Sequence, residues 1–95
     1  MNRKIFEELK KLKPLLKKKF GITKIALFGS QARDDYDENS DVDIVIFEMS
    51  PKSYKNFMQA KRFLEQELQK KVDLGFYKSM NTLIKKVIEK DLHYV

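Results

Sequence analysis

Ile25-Ala26-Leu27-Phe28-Gly29-Ser30, ten intervening residues, then Asp41-Val42-Asp43-Ile44-Val45-Ile46-Phe47: the reading of this stretch decides the fold. An apolar run that breaks at Gly-Ser reads as a buried strand ending in a tight turn. The second run is almost continuously apolar once past Asp43, which suggests a strand covered on both faces. Between them, residues 30–33 suit a helical turn and residues 34–40 a polar, acidic loop.

Working outward, residues 2–20 carry Ile5, Leu9, Leu12, Leu16 and Phe20 at helical spacing, so one face of a helix is apolar. Pro14 falls inside this pattern. Proline removes a backbone donor and crowds the preceding turn, so the expectation is a kink, or two short helices with Pro14 opening the second. Gly21 suits the C-cap. Ser50-Pro51 marks a turn, and residues 52–69 place Phe57, Ala60, Leu64 and Leu68 on one helix face. Residues 71–77 read as a third strand. Ser79 is expected to cap a last helix bearing Leu83, Ile84, Val87 and Ile88. The predicted order is helix, strand, strand, helix, strand, helix: an α/β domain with a small mixed sheet flanked by helices.

Ninety-five residues suffice for one domain, expected to span 1–95. There is no cysteine, which excludes disulfides and thiolate metal sites. No apolar stretch approaches membrane-spanning length, and the N-terminal residues do not resemble a signal peptide, so a cytoplasmic protein is expected. His93 is the only histidine, which argues against a Ser-His-Asp triad or a histidine-rich zinc site.

The net charge of +6 is unevenly spread. Residues 1–24 carry nine Lys/Arg against Glu7 and Glu8, residues 33–48 carry Arg33 against seven Asp/Glu, and residues 49–95 carry ten Lys/Arg against five Asp/Glu. The basic flanks could attract a nucleotide, a nucleic acid or an acidic protein, although a solvated lysine surface explains most of these residues individually. The acidic block surrounds the two aspartates that open the second strand.

Those aspartates carry the chemistry. Carboxylates at i and i+2 on a strand face the same way, with Cα atoms roughly 6.5–7 Å apart, and such a pair can share hard divalent cations such as Mg²⁺. An acidic loop explains Asp41 cheaply. It does not explain Asp43, which lies inside an apolar run where an unpaired charge is costly. Asp73, between Val72 and Leu74, joins the pair if its strand lies beside the second; otherwise it is a structural aspartate. Gly29 lets a ligand approach the backbone and Ser30 adds a hydroxyl, so the turn suits a phosphate. Arg33 can reach a triphosphate or pair with the acids that follow it. A phosphate turn beside a carboxylate pair is the equipment of phosphoryl or nucleotidyl transfer.

Gly29-Ser30, ten residues, then Asp41-Val42-Asp43 resembles the signature of the polymerase-beta-type nucleotidyltransferase superfamily. The Gly-Ser-Gln-Ala-Arg form and the chain length are similar to its minimal nucleotidyltransferases, commonly encoded beside HEPN-domain toxins as antitoxins. The resemblance runs from about Ile22 through Tyr94, with Val72-Asp73-Leu74 as its second specific element. It implies that Asp41 and Asp43 hold two Mg²⁺ ions, that Asp73 completes the site and activates the attacking hydroxyl, and that Gly29 and Ser30 hold the nucleotide phosphates, assisted by Arg33. It further implies ATP as substrate, pyrophosphate as leaving group and a tyrosine hydroxyl on a partner HEPN toxin as acceptor. Two alternatives remain from other classes: an antitoxin that blocks its toxin by occlusion alone, and a nucleotidyltransferase that modifies RNA or a small molecule.

Overall fold

The computed structural model describes residues 1–95. Its elements run α1 (Arg3–Phe20), β1 (Ile22–Phe28), β2 (Val42–Met49), α2 (Tyr54–Leu68), β3 (Val72–Phe76), α3 (Thr82–Glu89) and β4 (His93–Tyr94). The strands form one mixed sheet in the order β3-β2-β1-β4. β1 is antiparallel to both β2 and β4, while β2 and β3 are parallel and joined through α2.

Side-chain alternation divides the sheet into two working faces. Val42, Ile44 and Ile46 of β2, with Val72 and Leu74 of β3, meet Ile5, Leu9, Leu12 and Leu16 of α1 and Ala60 and Leu64 of α2 in one core cluster. The intervening residues, Asp43, Val45 and Phe47 on β2 and Asp73 and Gly75 on β3, face the other way. α3 connects β3, at one sheet edge, to β4, at the other, and Tyr77, whose ring packs on Phe47 of the second face at 4.8 Å, donates its hydroxyl to Glu89 of α3. No helix is long and apolar enough to cross a membrane.

α1 begins where the Asn2 side chain accepts from the Ile5 amide at 3.3 Å and ends at Gly21 in the left-handed region, with φ 67°. Of the two expectations for Pro14, two separate short helices are not found: α1 is one helix that continues through it. Pro14 is exposed, whereas Ile5, Leu9, Leu12, Leu16 and Phe20 are all buried. Their combined burial outweighs a proline penalty of about 3 kcal/mol.

Two further expectations need correction near the C-terminus. Asn81, not Ser79, caps α3: its side chain accepts from the Ile84 amide at 2.9 Å, while Ser79 ends a short 3-10 turn, Tyr77–Ser79. Asparagine and serine cap equally well, so position relative to the first helical turn decided between them. β4 was not foreseen, because two residues, His93 and Tyr94, are too few to show alternation. They pair with Leu27 and Ala26, leaving His93 exposed on an edge strand.

Candidate active site

The register of the sheet brings together acids that are thirty residues apart in the chain. Asp43 lies opposite Phe28 across the antiparallel pair and opposite Asp73 across the parallel pair. The first pairing sets Asp43 against the turn that follows β1; the second sets two carboxylates on adjacent strands of one face. The Val42 amide donates to the Lys71 carbonyl at 2.9 Å, which fixes the start of this parallel register. Asp41 immediately precedes β2, outside its ladder, and is exposed, as is Asp73; Asp43 is half-buried.

This crowding is registered in the ionisation of Asp43, whose pKa rises from 3.8 to about 6. Burial is the main cause, followed by the negative charges of Asp73 and then Asp41, with Arg33 pulling the other way. A carboxylate in this position gains from a cation.

Gly29 shapes the other wall. It has φ 75°, and a Cβ added there would stand 2.1 Å from Asp43 Oδ2. Glycine is therefore required twice, by backbone conformation and by the carboxylate pressed against its Cα. Residues Gly29–Gln31 form a short 3-10 turn, and the Ala32 and Arg33 amides both donate to the Gly29 carbonyl at 3.0 Å. Ser30 is half-buried at this turn.

Arg33 points into solvent. Its guanidinium donates to Asp91 Oδ2 at 2.9 Å and to Asp35 Oδ2 at 3.2 Å. These bonds, Asp91 first, hold its pKa above the usual arginine value. Arg33 thus meets the acids of the following loop, as one sequence reading had it, together with an unforeseen partner beyond α3. To contact a triphosphate it would exchange these partners.

The residue that sequence reasoning missed is Gln31. It is fully buried and is the sole polar member of the buried set. Asn2 Nδ2 donates to its Oε1 at 2.8 Å, its Nε2 donates to the Ser40 carbonyl at 3.2 Å, and the Asn2 amide donates to its own carbonyl at 2.7 Å. One side chain thereby ties the cap of α1, the Gly29 turn and the residue preceding Asp41. The signal available in the sequence was a glutamine between a turn and a small apolar residue, Ala32, with no partner in sight. The acidic loop is also pinned from its other side, by Lys70 Nζ donating to the Glu38 carbonyl at 3.0 Å.

The three aspartates are neighbours without forming a closed cage: no three acidic or histidine groups stand close enough together to hold an ion in common. The donor set is nonetheless the right one for a hard cation, all carboxylate oxygen, with a half-buried member whose charge is uncompensated. Nor does a cavity enclose the group. The largest concavity, of about 570 Å³, is lined by Arg62, Glu65, Gln66, Gln69, Lys70 and Lys71, away from the carboxylates. The site is an open face.

Known proteins share this sequence pattern and fold. The nucleotidyltransferase domain family matches residues 9–95. The chain is 44% identical over 94 residues to MJ1379 of Methanocaldococcus jannaschii, provisionally named a protein adenylyltransferase, covering 96% of this chain and 94% of that protein. It is 37% identical over 81 residues to the protein adenylyltransferase MntA of Thermococcus cleftensis, covering 84% of this chain and 81% of that one. Among solved structures, a minimal nucleotidyltransferase superposes with TM-score 0.76 at 18% identity, covering 98% of this chain and 95% of the other. A toxin–antitoxin structure with AMP-PNP superposes with TM-score 0.73 at 23% identity, covering 93% and 69%. The fold is that of a minimal nucleotidyltransferase. This chain belongs to the nucleotidyltransferase domain family, and it is an enzyme of that class whose relatives are named protein adenylyltransferases.

Proposed function

We propose that residues 1–95 form one nucleotidyltransferase domain that transfers AMP from ATP to a tyrosine hydroxyl of a cognate HEPN-domain toxin, acting as its antitoxin in the cytoplasm. The observation that carries this reading is the apposition of Asp43 and Asp73 across β2 and β3, beside the Gly29 turn. The names of the relatives support transfer of AMP to protein, and the AMP-PNP complex of the structural neighbour supports an ATP-like nucleotide. The toxin–antitoxin nature of that neighbour supports a toxin as partner.

In this reading Asp41, Asp43 and Asp73 would hold Mg²⁺, two ions in all, which supply charge neutralisation at the attacking and leaving oxygens. Gly29 admits the triphosphate close to the backbone, and Ser30 donates its hydroxyl to a phosphate oxygen. Asp73 is exposed and so open to an acceptor, and in this reading its carboxylate takes the proton of the tyrosine hydroxyl. The phenolic oxygen then bonds to the α-phosphorus, the bond to the β-phosphate oxygen breaks, and pyrophosphate departs with the electron pair. Arg33, released from Asp35 and Asp91, steadies the phosphates. Most of the catalysis in such transfers is positioning and electrostatics, which so small a domain can supply.

The decisive experiment incubates labelled ATP and Mg²⁺ with the chain and either its HEPN-domain partner or total RNA. Label on the partner protein, lost with Asp43→Asn, is the expected result. Label on RNA alone would move the acceptor to nucleic acid, and inhibition of the toxin by Asp43→Asn without any label would replace catalysis by occlusion.

A further inference from the structure

α3 is the least embedded helix. Of its four large apolar side chains only Ile88 is buried; Leu83, Ile84 and Val87 are 72%, 45% and 59% exposed. Positions 83 and 87 lie one turn apart and 84 is three residues from 87, so the three make one continuous strip. A single exposed leucine needs no explanation, but three on one short helix mark a contact surface. Lys86, on the same helix, and Lys90, at its C-cap, flank the strip and are exposed. The local acids are already engaged, Glu89 accepting from the Tyr77 hydroxyl at 2.8 Å and Asp91 from Arg33 at 2.9 Å. The uncompensated charge of the rim is positive.

We propose that this strip and its lysine rim are the docking surface for the protein acceptor, a partner whose contact area is an apolar groove edged with acidic residues. The inference rests on the adenylyl-transfer reading and locates the acceptor within it. Position favours this occupant. The Tyr77 hydroxyl donates to Glu89 of α3 while its ring packs on Phe47, a β2 residue on the same face as Asp43, and the Arg33–Asp91 pair ties the far end of α3 to the segment after the Gly29 turn. Charge disfavours symmetric self-pairing of the strip, because a second α3 brings the same lysines to the contact. Composition separates protein from nucleic acid: an apolar centre with a charged rim is the anatomy of a protein interface, whereas phosphate binding needs the lysines alone.

The test uses the full chain bearing Leu83→Glu and Val87→Glu, with the milder Leu83→Ser and Val87→Ser alongside in case the charges unsettle α3. AMP transfer from labelled ATP is followed against concentration of the HEPN-domain partner, and binding of that partner to an Asp43→Asn background is measured without nucleotide. The expected result is at least a tenfold rise in KM for the acceptor and in Kd, with affinity for a fluorescent ATP analogue within twofold of the parent. Lys86→Glu with Lys90→Glu weakens binding at low salt and has little effect at high salt. Unchanged KM and Kd in these variants overturn the docking surface while leaving adenylyl transfer standing. Binding through α3 without any labelling of the partner does the reverse. A parent chain that sediments as a dimer and becomes monomeric with Leu83→Glu and Val87→Glu assigns the strip to a second copy and overturns the proposal.

Discussion

Asp43 and Asp73 are direct partners across the parallel strands β2 and β3, with both side chains on the face opposite α1 and α2. Two like charges on adjacent strands repel, and burial of Asp43 adds to the cost. The fold tolerates this arrangement without gaining stability from it, which makes the acids the natural place to separate function from folding.

Replacing Asp43 by asparagine should therefore stabilise the metal-free protein while abolishing AMP transfer. Taken at face value, a rise from 3.8 to about 6 corresponds to about 3 kcal/mol. Solvent around the half-exposed group screens this to ~1–2 kcal/mol. Thermal melts without Mg²⁺ at pH 7.5 measure the gain. Added Mg²⁺ should raise the Tm of the parent and leave that of Asp43→Asn nearly unchanged.

The pH dependence has a definite sign. Well below 3.8 the carboxyl is protonated in both folded and unfolded chains and contributes nothing. Between 3.8 and about 6 the folded chain keeps a proton that the unfolded one has lost, so the Asp43 contribution to stability declines as pH rises and is level above that window. Subtracting the denaturation profile of Asp43→Asn from that of the parent isolates this slope. A difference that grows in the parent's favour through pH 4–6 would contradict the assignment.

Gly29→Ala tests the turn. The new Cβ meets Asp43 Oδ2 at 2.1 Å and the backbone keeps φ 75°, so a loss of about 1–2 kcal/mol from conformation alone is expected, before the carboxylate moves. AMP transfer should fall by roughly two orders of magnitude or more, on the scale of a misplaced catalytic group. Denaturant titration and initial rates under saturating ATP are the measurements.

Gln31→Leu keeps the volume and removes the clasp. It leaves Asn2 Nδ2 and the Ser40 carbonyl without partners, at a cost of about 2–3 kcal/mol. Hydrogen exchange should rise in residues 34–41, and kcat should drop further than the stability loss explains, because Asp41 is positioned through Ser40.

Pro14→Ala is expected to act in the opposite direction. Pro14 is exposed in the middle of α1, so restoring a backbone donor should stabilise by about 1–3 kcal/mol. For a domain of this size that is roughly 5 °C or more in Tm, with AMP transfer unchanged.

Much of this was legible in the chain because it depends on local pattern. The periodicity of Leu9, Leu12 and Leu16 gave α1, the Gly-Ser break gave the turn, and an acid inside an apolar run singled out Asp43. Pairing between distant segments was less accessible. The apposition of Asp73 with Asp43 depends on β3 lying parallel to β2, which the sequence permitted without requiring. Gln31 was invisible for a similar reason, since its partners Asn2 and Ser40 lie 29 and 9 residues away. α3 misled in another way: its apolar spacing announces a helix but says nothing about which side is covered, and three of its four large apolar residues face solvent.

The alternation along β2 has an evolutionary corollary. Val42, Ile44 and Ile46 face the core shared with α1 and α2, while Asp43, Val45 and Phe47 face the other side of the sheet, where Val45 is buried as well. Gaining or losing one codon in this segment would exchange the two sets in a single event, stranding an acid among leucines and putting an isoleucine where Asp43 stands. Length variation among homologues should therefore concentrate in residues 34–39, where the chain can be lengthened without turning the strand over.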